Sequence, residues 1–511
     1  MRAFAVRRFP WGDFVFVAVV GALTALAASV WWISRIVPGM DYPQFLVFVR
    51  AFQDVGDPSS PFHGTYAVGH WYMPTALPVL VCSALSHLTG HSIEIAGKVM
   101  LTAEYVGDVA ASLFLLKELE RPRWAVLLLF PLIHSVWTVV GGFFAYSTSI
   151  PLVILTWALS VRWLRRRDLL SGIALAACLA CVELWHGIGF TQAGFGFAVL
   201  WVLWRAPSWR ARLVSVLPSF PCLLLFAKWM TTTFADKSVR APPGWTPPWQ
   251  AAEDIFEFIE PSVPNYMGRL LALLAILGVG VLLCEVNVGT PRPAQRAWRV
   301  GNVGLALSLA YLAGYFALPA NMYTVAGVGV RYAYPAALAL VFAWNLPGRT
   351  APRAFVLGAM LSYGVWTLRD VQGRFVAFDA ETRGASELID RIWPRDTLYY
   401  SPAAEGASKD FAGPTNKPMR ELEQYATVRK GGLPNSSFAG YGVNYIRYVH
   451  ENPMPGLQMQ AGWWNESLSK FDWVLVRSTT KLTDSHFVHV DSRPGWDLYG
   501  VCGSRRFGPC P

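Results

Sequence analysis

The chain has 511 residues, 54% of them hydrophobic, with 23 Trp and 30 Phe, 15% charged residues and a formal net charge of +10. That length and apolar load exclude a single compact soluble domain. The positive balance needs no nucleic acid, because Arg and Lys collect in the cytoplasmic loops of membrane proteins, and no basic-aromatic patch or groove-reading motif accompanies it.

From about residue 11 to 370, long apolar runs are broken by short Arg-rich clusters; after Gln372 charged and polar residues reach ordinary globular density. The run from Phe14 to Ile36 exceeds the roughly 20 residues a bilayer requires. No cleavage site follows its small residues, so it reads as a retained first helix. Further spans are expected at 95–117, 124–140, 146–164, 169–190, 191–204, 213–231, 268–284, 300–318, 329–346 and 353–370. Basic clusters at Arg2/Arg7/Arg8, Lys117/Arg121/Arg123, Arg162/Arg165/Arg166/Arg167, Arg205/Arg210/Arg212, Arg292/Arg296/Arg299 and Arg349/Arg353 fall at every second loop. Placed inside, they give about eleven spans with the N-terminus cytoplasmic. Residues 74–89 are apolar but short, contain Pro78 and lack a basic flank, which suits a re-entrant or interfacial helix.

The predicted architecture is a polytopic α-helical membrane protein, residues 1–371, with a C-terminal extracytoplasmic α/β domain, residues 372–511. Two long outer loops, 37–73 and 232–267, are rich in aromatic, Pro and acidic residues, as expected of surfaces built over a site. In the tail, Thr382 to Ile392 has helical spacing, and Thr397 to Ser401, Trp473 to Arg477 and Phe487 to Val490 read as strands. Pro494-Gly495 marks a hairpin turn in the closing RPGWDLYGV. Cys502 and Cys510 could pair across a short loop in an oxidising exterior or stand as two thiols. Cys82, Cys178, Cys181, Cys222 and Cys284 lie in apolar segments and read as packing residues.

Several side chains carry chemistry. Asp41, in VPGMDYPQFLVFVRAF, stands just past the first span at a low-dielectric boundary that raises a carboxylate's basicity; its bland reading is a helix N-cap. Glu104 and Asp108 are four apart and share a helix face; Glu104 lies about 13 Å inside its span, a depth at which carboxylates face a cavity, a partner or a proton path. Glu183, His186 and His134 sit near the outer ends of their spans, where a titratable ring can donate to a phosphate. Arg331 begins a late span, where a guanidinium can grip a phosphate with two parallel hydrogen bonds. Lys228 could do so as a point charge, and snorkelling is the alternative for both. There is no Walker A loop, no Gly-rich dinucleotide loop and no metal-ligand spacing of the HExxH or paired CxxC kind.

The first span, then GMDYPQFLVFVRAF, then HWYMPTALPVL, resembles the membrane glycosyltransferases of the GT-C superfamily, with the loop most similar to glycosyltransferase family 87 and its mannosyltransferase-like relatives. GGFFAYSTSIPLVILTWALSVRWLRRRDLLSGIALA is similar to their paired-span stretch. The resemblance implies an inverting enzyme that takes a hexose or pentose, mannose among them, from a polyprenyl-phosphate lipid at the outer membrane face. The acceptor would be a glycan, lipid or protein, and Asp41 the general base. It adds no certain cofactor, although a divalent metal is compatible with such a site. Arg331, His186 and Lys228 would stabilise the leaving phosphate, and Glu104, Asp108 and His134 would line the cavity on its acidic, acceptor side. A lipid-linked glycan flippase or transporter is the main rival, using Glu104 and Asp108 as a path; it would bring internal repeats, which the sequence lacks. A non-enzymatic envelope-assembly protein is the third reading, with the tail as its binding module.

Overall fold

The computed structural model describes residues 11–39, 41–134, 143–235, 243–252, 298, 300, 302–322, 325–344, 350–400, 408, 411, 419–435, 439, 444–450, 452–454 and 466–509. The span expected at 268–284, most of the 232–267 loop, Cys284 and Cys510 lie outside the described residues, and with Cys510 the expected Cys502–Cys510 bridge.

The apolar body is helical: α1 (Trp11–Ala28), α2 (Tyr42–Asp54), α3 (Ala76–Leu88), α4 (Ile93–Glu118), α5 (Ile150–Arg166), α6 (Leu169–Trp185), α7 (Gly187–Leu203), α8 (Phe220–Ala235), α9 (Val303–Ala317) and α10 (Ala333–Ala343). By length and composition, Ile93–Glu118, Phe144–Arg166 and Trp209–Thr232 can each cross a membrane, and six shorter apolar helices lie among the described residues. Caps fix the starts of several helices. Ser92 accepts from the Ile95 N–H at 3.2 Å to begin α4, and Asp168 from the Ser171 N–H at 2.9 Å to begin α6. Helices α4 and α5 approach closely because Gly107 faces Pro151; a Cβ there would stand 2.9 Å from the proline ring.

Two expected spans are corrected. The stretch 124–140 does not begin as an α-helix: Arg123–Leu129 is a 3-10 helix followed by turns to His134. Pro131 has no N–H with which to continue the helical hydrogen bonding, although Phe130 before it keeps α-region angles. The stretch 169–190 also divides, with α6 ending at Trp185 and His186 extended (φ −162°, ψ 123°) before α7. Residues 76–88 form a separate 13-residue helix, α3, in which Pro78 sits in the first turn where no intrahelical N–H is needed.

After the body, α11 (Thr350–Arg391) runs 42 residues without a break through the expected boundary at 371/372. Gln372 Nε2 donates to Ser29 Oγ at 2.7 Å, and Asp379 accepts from the Arg35 N–H at 2.9 Å. Further on, the Glu381 carbonyl accepts from Trp496 Nε1 at 2.8 Å and its carboxylate pairs with Arg477 at 2.6 Å. One helix thus grips both the body and the C-terminal domain. A last helix, α12 (Gln424–Lys430), ends at Gly431 with φ +79°, a left-handed stop that suits glycine.

The strands are β1 (Tyr66–Val68), β2 (Leu398–Tyr400), β3 (Ile446–Tyr448), β4 (Trp473–Arg477), β5 (Phe487–Arg493) and β6 (Trp496–Val501). Four make one sheet in the order β2-β4-β6-β5, with β2 and β4 parallel and the other pairs antiparallel. The three predicted strand runs and the Pro494-Gly495 turn are all present, with Gly495 at φ +79°. Besides a short antiparallel pairing of Asn321–Met322 with Val325–Ala326, β1 pairs with β3, Tyr66 opposite Tyr448, so the loop at 37–73 adds a strand to the C-terminal domain.

Candidate active site

Asp41 precedes α2, whose residues Tyr42 to Val49 are all buried. A helix apolar all round must be covered on every side, and α2 is: α3 and α4 flank it in the body, and α12 packs on it from the C-terminal domain. Gln53 Nε2 binds Ser86 Oγ at 2.6 Å, tying α2 to α3. The Tyr425 hydroxyl donates to the Val37 carbonyl and accepts from the Val37 N–H, both at 3.1 Å, only four residues before Asp41. Arg429 grips both oxygens of Glu94 in the first turn of α4, at 2.6 and 2.9 Å, and also reaches Asp390 at 3.2 Å.

The bland reading of Asp41 fails on geometry. It occupies the N-cap position, but its side chain makes no capping hydrogen bond. Burial raises its pKa to about 7; Arg331 and Arg420 pull it down, and Glu421 pushes it up. This half-buried carboxyl can therefore exchange a proton near neutrality.

Arg331 comes within electrostatic reach of Asp41 from a distant stretch of chain. It lies in a short 3-10 turn, Val330–Tyr332, that leads into α10. Gly329 lets this turn fold back on the end of α9, since a Cβ there would stand 2.8 Å from the Leu318 carbonyl. The Arg331 carbonyl accepts from Gln192 Nε2 at 3.0 Å and from the Tyr146 hydroxyl at 3.1 Å. Its guanidinium lies over the rings of Phe143 (4.4 Å) and Tyr146 (5.2 Å), a placement that stabilises a buried cation.

The turn at Phe143–Ser147 is the hub. Phe144 stacks on Phe45 at 4.2 Å and meets Tyr42 at 5.5 Å, so the helix that follows Asp41 presses on this turn. His186 meets Tyr146 edge-on at 5.4 Å. Its Nδ1 accepts from the Gly189 N–H at 3.2 Å, which leaves Nε2 as the nitrogen that carries the proton. Asp41, Arg331 and His186 thus gather around one aromatic turn, with Arg331 close enough to act electrostatically on both of the others.

The remaining candidates are placed elsewhere. Lys228 is exposed on α8, with Nζ 5.9 Å from the Tyr72 ring, which puts a cation beside the segment leading to α3. Glu183 is buried on α6, and neither of its carboxylate oxygens has a hydrogen-bond partner. Glu104 and Asp108 are buried on α4, deeper than Asp41: Tyr42 reaches α4 at Gly97, and Asp108 lies eleven residues or about 16 Å further along. His134 belongs with them, 5.2 Å from the Tyr105 ring, its Nε2 bonded to the Ala27 carbonyl at 3.1 Å. No group of three or more His, Cys, Asp or Glu side chains suited to a metal occurs among the described residues.

Sequence reasoning missed four contributors: Phe143, Tyr146, Gln192 and the tail segment Arg420–Glu423. The aromatic GGFFAYS run was visible, but nothing in it says that an arginine 185 residues later stacks there. The tail residues read as an ordinary polar surface stretch.

No protein-family model matches the sequence, and no curated protein matches it. Solved structures do. The chain is similar to ArnT from Cupriavidus metallidurans in the apo state (TM-score 0.55, 12% identity) and bound to undecaprenyl phosphate (TM-score 0.51, 12% identity), covering 98% of this chain and 100% of that one in each case. It is also similar to a mutant of the mycobacterial arabinofuranosyltransferase AftD (TM-score 0.52, 14% identity), with 96% of this chain covered but only 42% of AftD. The fold is that of these solved proteins, and its helical body agrees with the apolar runs of the sequence.

Proposed function

We propose that the chain is an inverting glycosyltransferase that moves a sugar from a polyprenyl-phosphate donor to a hydroxylated acceptor at the outer membrane face. One observation carries this reading: a half-buried carboxyl at a helix start, bearing no capping bond, lies within electrostatic reach of a buried arginine seated on an aromatic turn. A sugar phosphate demands those two opposed functions. Asp41 takes the proton of the acceptor hydroxyl as its oxygen bonds to the anomeric carbon. The bond from that carbon to the phosphate oxygen breaks, and the lipid phosphate leaves with the charge. Arg331 meets that charge with a fork of N–H donors, and the Nε2–H of His186 adds a neutral donor beside it. Lys228, beside Tyr72, is the point charge at the mouth. With the base on the acceptor side of the sugar and the cation on the phosphate side, attack and departure would be in line and the anomeric centre would invert.

The likeness to an undecaprenyl-phosphate-bound ArnT supports a lipid-linked donor. Mannose and the other hexoses and pentoses remain the sugar classes of this reading, which includes the family 87 resemblance. The alternating basic clusters support a cytoplasmic N-terminus and an extracytoplasmic C-terminal domain.

The test uses the purified full chain and a panel of polyprenyl-phosphate sugars, with release of lipid phosphate as the readout. Release with wild type and none with Asp41→Asn of equal expression and melting behaviour is the expected result. Retained release in that variant removes the base assignment, and relocation of the lipid without cleavage favours a flippase.

A further inference from the structure

The segment Met419–Glu423 carries two buried carboxyls, Glu421 and Glu423, just before α12, which packs on α2, and Glu421 lies within electrostatic reach of Asp41. Glu421 Oε2 accepts from Gln424 Nε2 at 2.7 Å, and its other oxygen lies 3.7 Å from Arg420 Nε. Glu423 is 2% exposed, and its Oε2 is buried without a hydrogen-bond partner. The segment is held in place by the helix that follows it: Tyr425 is bonded twice to Val37, and Arg429 is clamped on Glu94. A buried carboxyl oxygen with nothing to bond costs free energy unless a ligand uses it.

From this geometry we infer that the C-terminal domain supplies the acceptor half of the site, with Glu423 holding a hydroxyl of a polyhydroxylated acceptor and Glu421 acting as a positioning residue for Asp41. The inference rests on the glycosyltransferase reading. Paired carboxyls suit a sugar acceptor because neighbouring hydroxyls can both donate to them. They also set the charge that Asp41 experiences. The charged groups acting on Asp41 are Arg331 and Arg420, which favour its ionised form, and Glu421, which opposes it. Glu423, buried against Glu421, is held protonated well above the usual carboxylate range, so the pair keeps at most part of its negative charge. Removing one carboxyl lets the other ionise; removing both clears the charge whichever member carried it.

Two measurements on the full chain test the inference. Infrared titration follows the protonated carboxyl band that disappears in Asp41→Asn. In Glu421→Gln/Glu423→Gln that band should titrate at lower pH than in wild type, by roughly half a unit or more; an unmoved midpoint overturns the positioning role. In the transfer assay, Glu423→Gln should raise the KM for a saccharide acceptor about tenfold or more, with the KM for the lipid donor within about twofold and Glu423→Asp recovering part of the loss. Equal loss toward donor and acceptor, or none, overturns the acceptor role. If Asp41→Asn retains transfer, the base reading has failed; if it abolishes transfer while the Glu variants behave as wild type, only the present inference has.

Discussion

Among the described residues, two clusters of acidic groups contrast, one around Asp41 and one around Asp108. Around Asp41, charges of both signs are brought together from three distant stretches of chain: Asp41 itself, Arg331, and Arg420 with Glu421. Around Asp108 the neighbours come mostly from one helix and the aromatic groups beside it. Trp31 Nε1, Tyr105 Oη, Ser112 Oγ, His134 Nδ1 and Asp108 Oδ1 are each buried without a hydrogen-bond partner. From sequence the Asp108 cluster was the more conspicuous, because a carboxylate deep in a span is costly. The comparison teaches that depth in an apolar segment marks a polar group as unusual, whereas opposed charges assembled from remote segments mark it as useful.

The largest expected effect separates the two directly. Asp41→Asn should lower transfer by about a thousandfold or more, whereas Asp108→Asn should change it by less than about tenfold, measured as released lipid phosphate. A reversed order would move the chemistry to the deeper cluster. Next, Arg331→Lys should cost roughly 10- to 100-fold in kcat/KM, since an ammonium can neither fork onto a phosphate nor lie flat over Phe143 and Tyr146.

The pH dependence sharpens the picture further. A base that titrates at about 7 requires transfer to rise with pH through that value and level off above it. Its effect on stability has the opposite sense. The Asp41 carboxyl holds its proton more tightly folded (about 7) than unfolded (3.8), so the folded state loses stability as pH rises between those values. Asp41→Asn should therefore melt higher than wild type at pH 8, by roughly 2–4 °C, with the gap closing near pH 4. The smallest effect is at the domain contact: Tyr425→Phe removes both bonds to Val37 and should cost about 1–2 kcal/mol in thermal or denaturant unfolding.

Much of the fold was legible because apolar runs and their basic flanks obey a one-dimensional rule. The tail strands and the turn at Gly495 were legible for the same reason, each being a local pattern. The 3-10 stretch at Arg123–Leu129 was not, since its composition is that of a span and only Pro131 signals the break. Asp41, His186 and Arg331 were each singled out by residue type and depth. Their gathering around Tyr146 was not legible, because it depends on contacts between residues as far apart as 41 and 331. The part played by Arg420, Glu421 and Glu423 was hidden for a further reason: polar side chains in a polar domain look ordinary until the domain is seated on the membrane body.

That seating has a consequence in the long helix α11, which spans 42 residues from the body into the C-terminal domain. Because Asp379 is bonded to the body and Glu381 to the sheet, the two attachments are separated by less than one turn. A single residue inserted between them would swing everything beyond by about 100°. The helix works as a keyed shaft rather than a tether: it fixes the angle of the tail as well as its height. Homologous proteins with this shaft are free to lengthen the loops between strands, but not this stem except in steps that restore its phase.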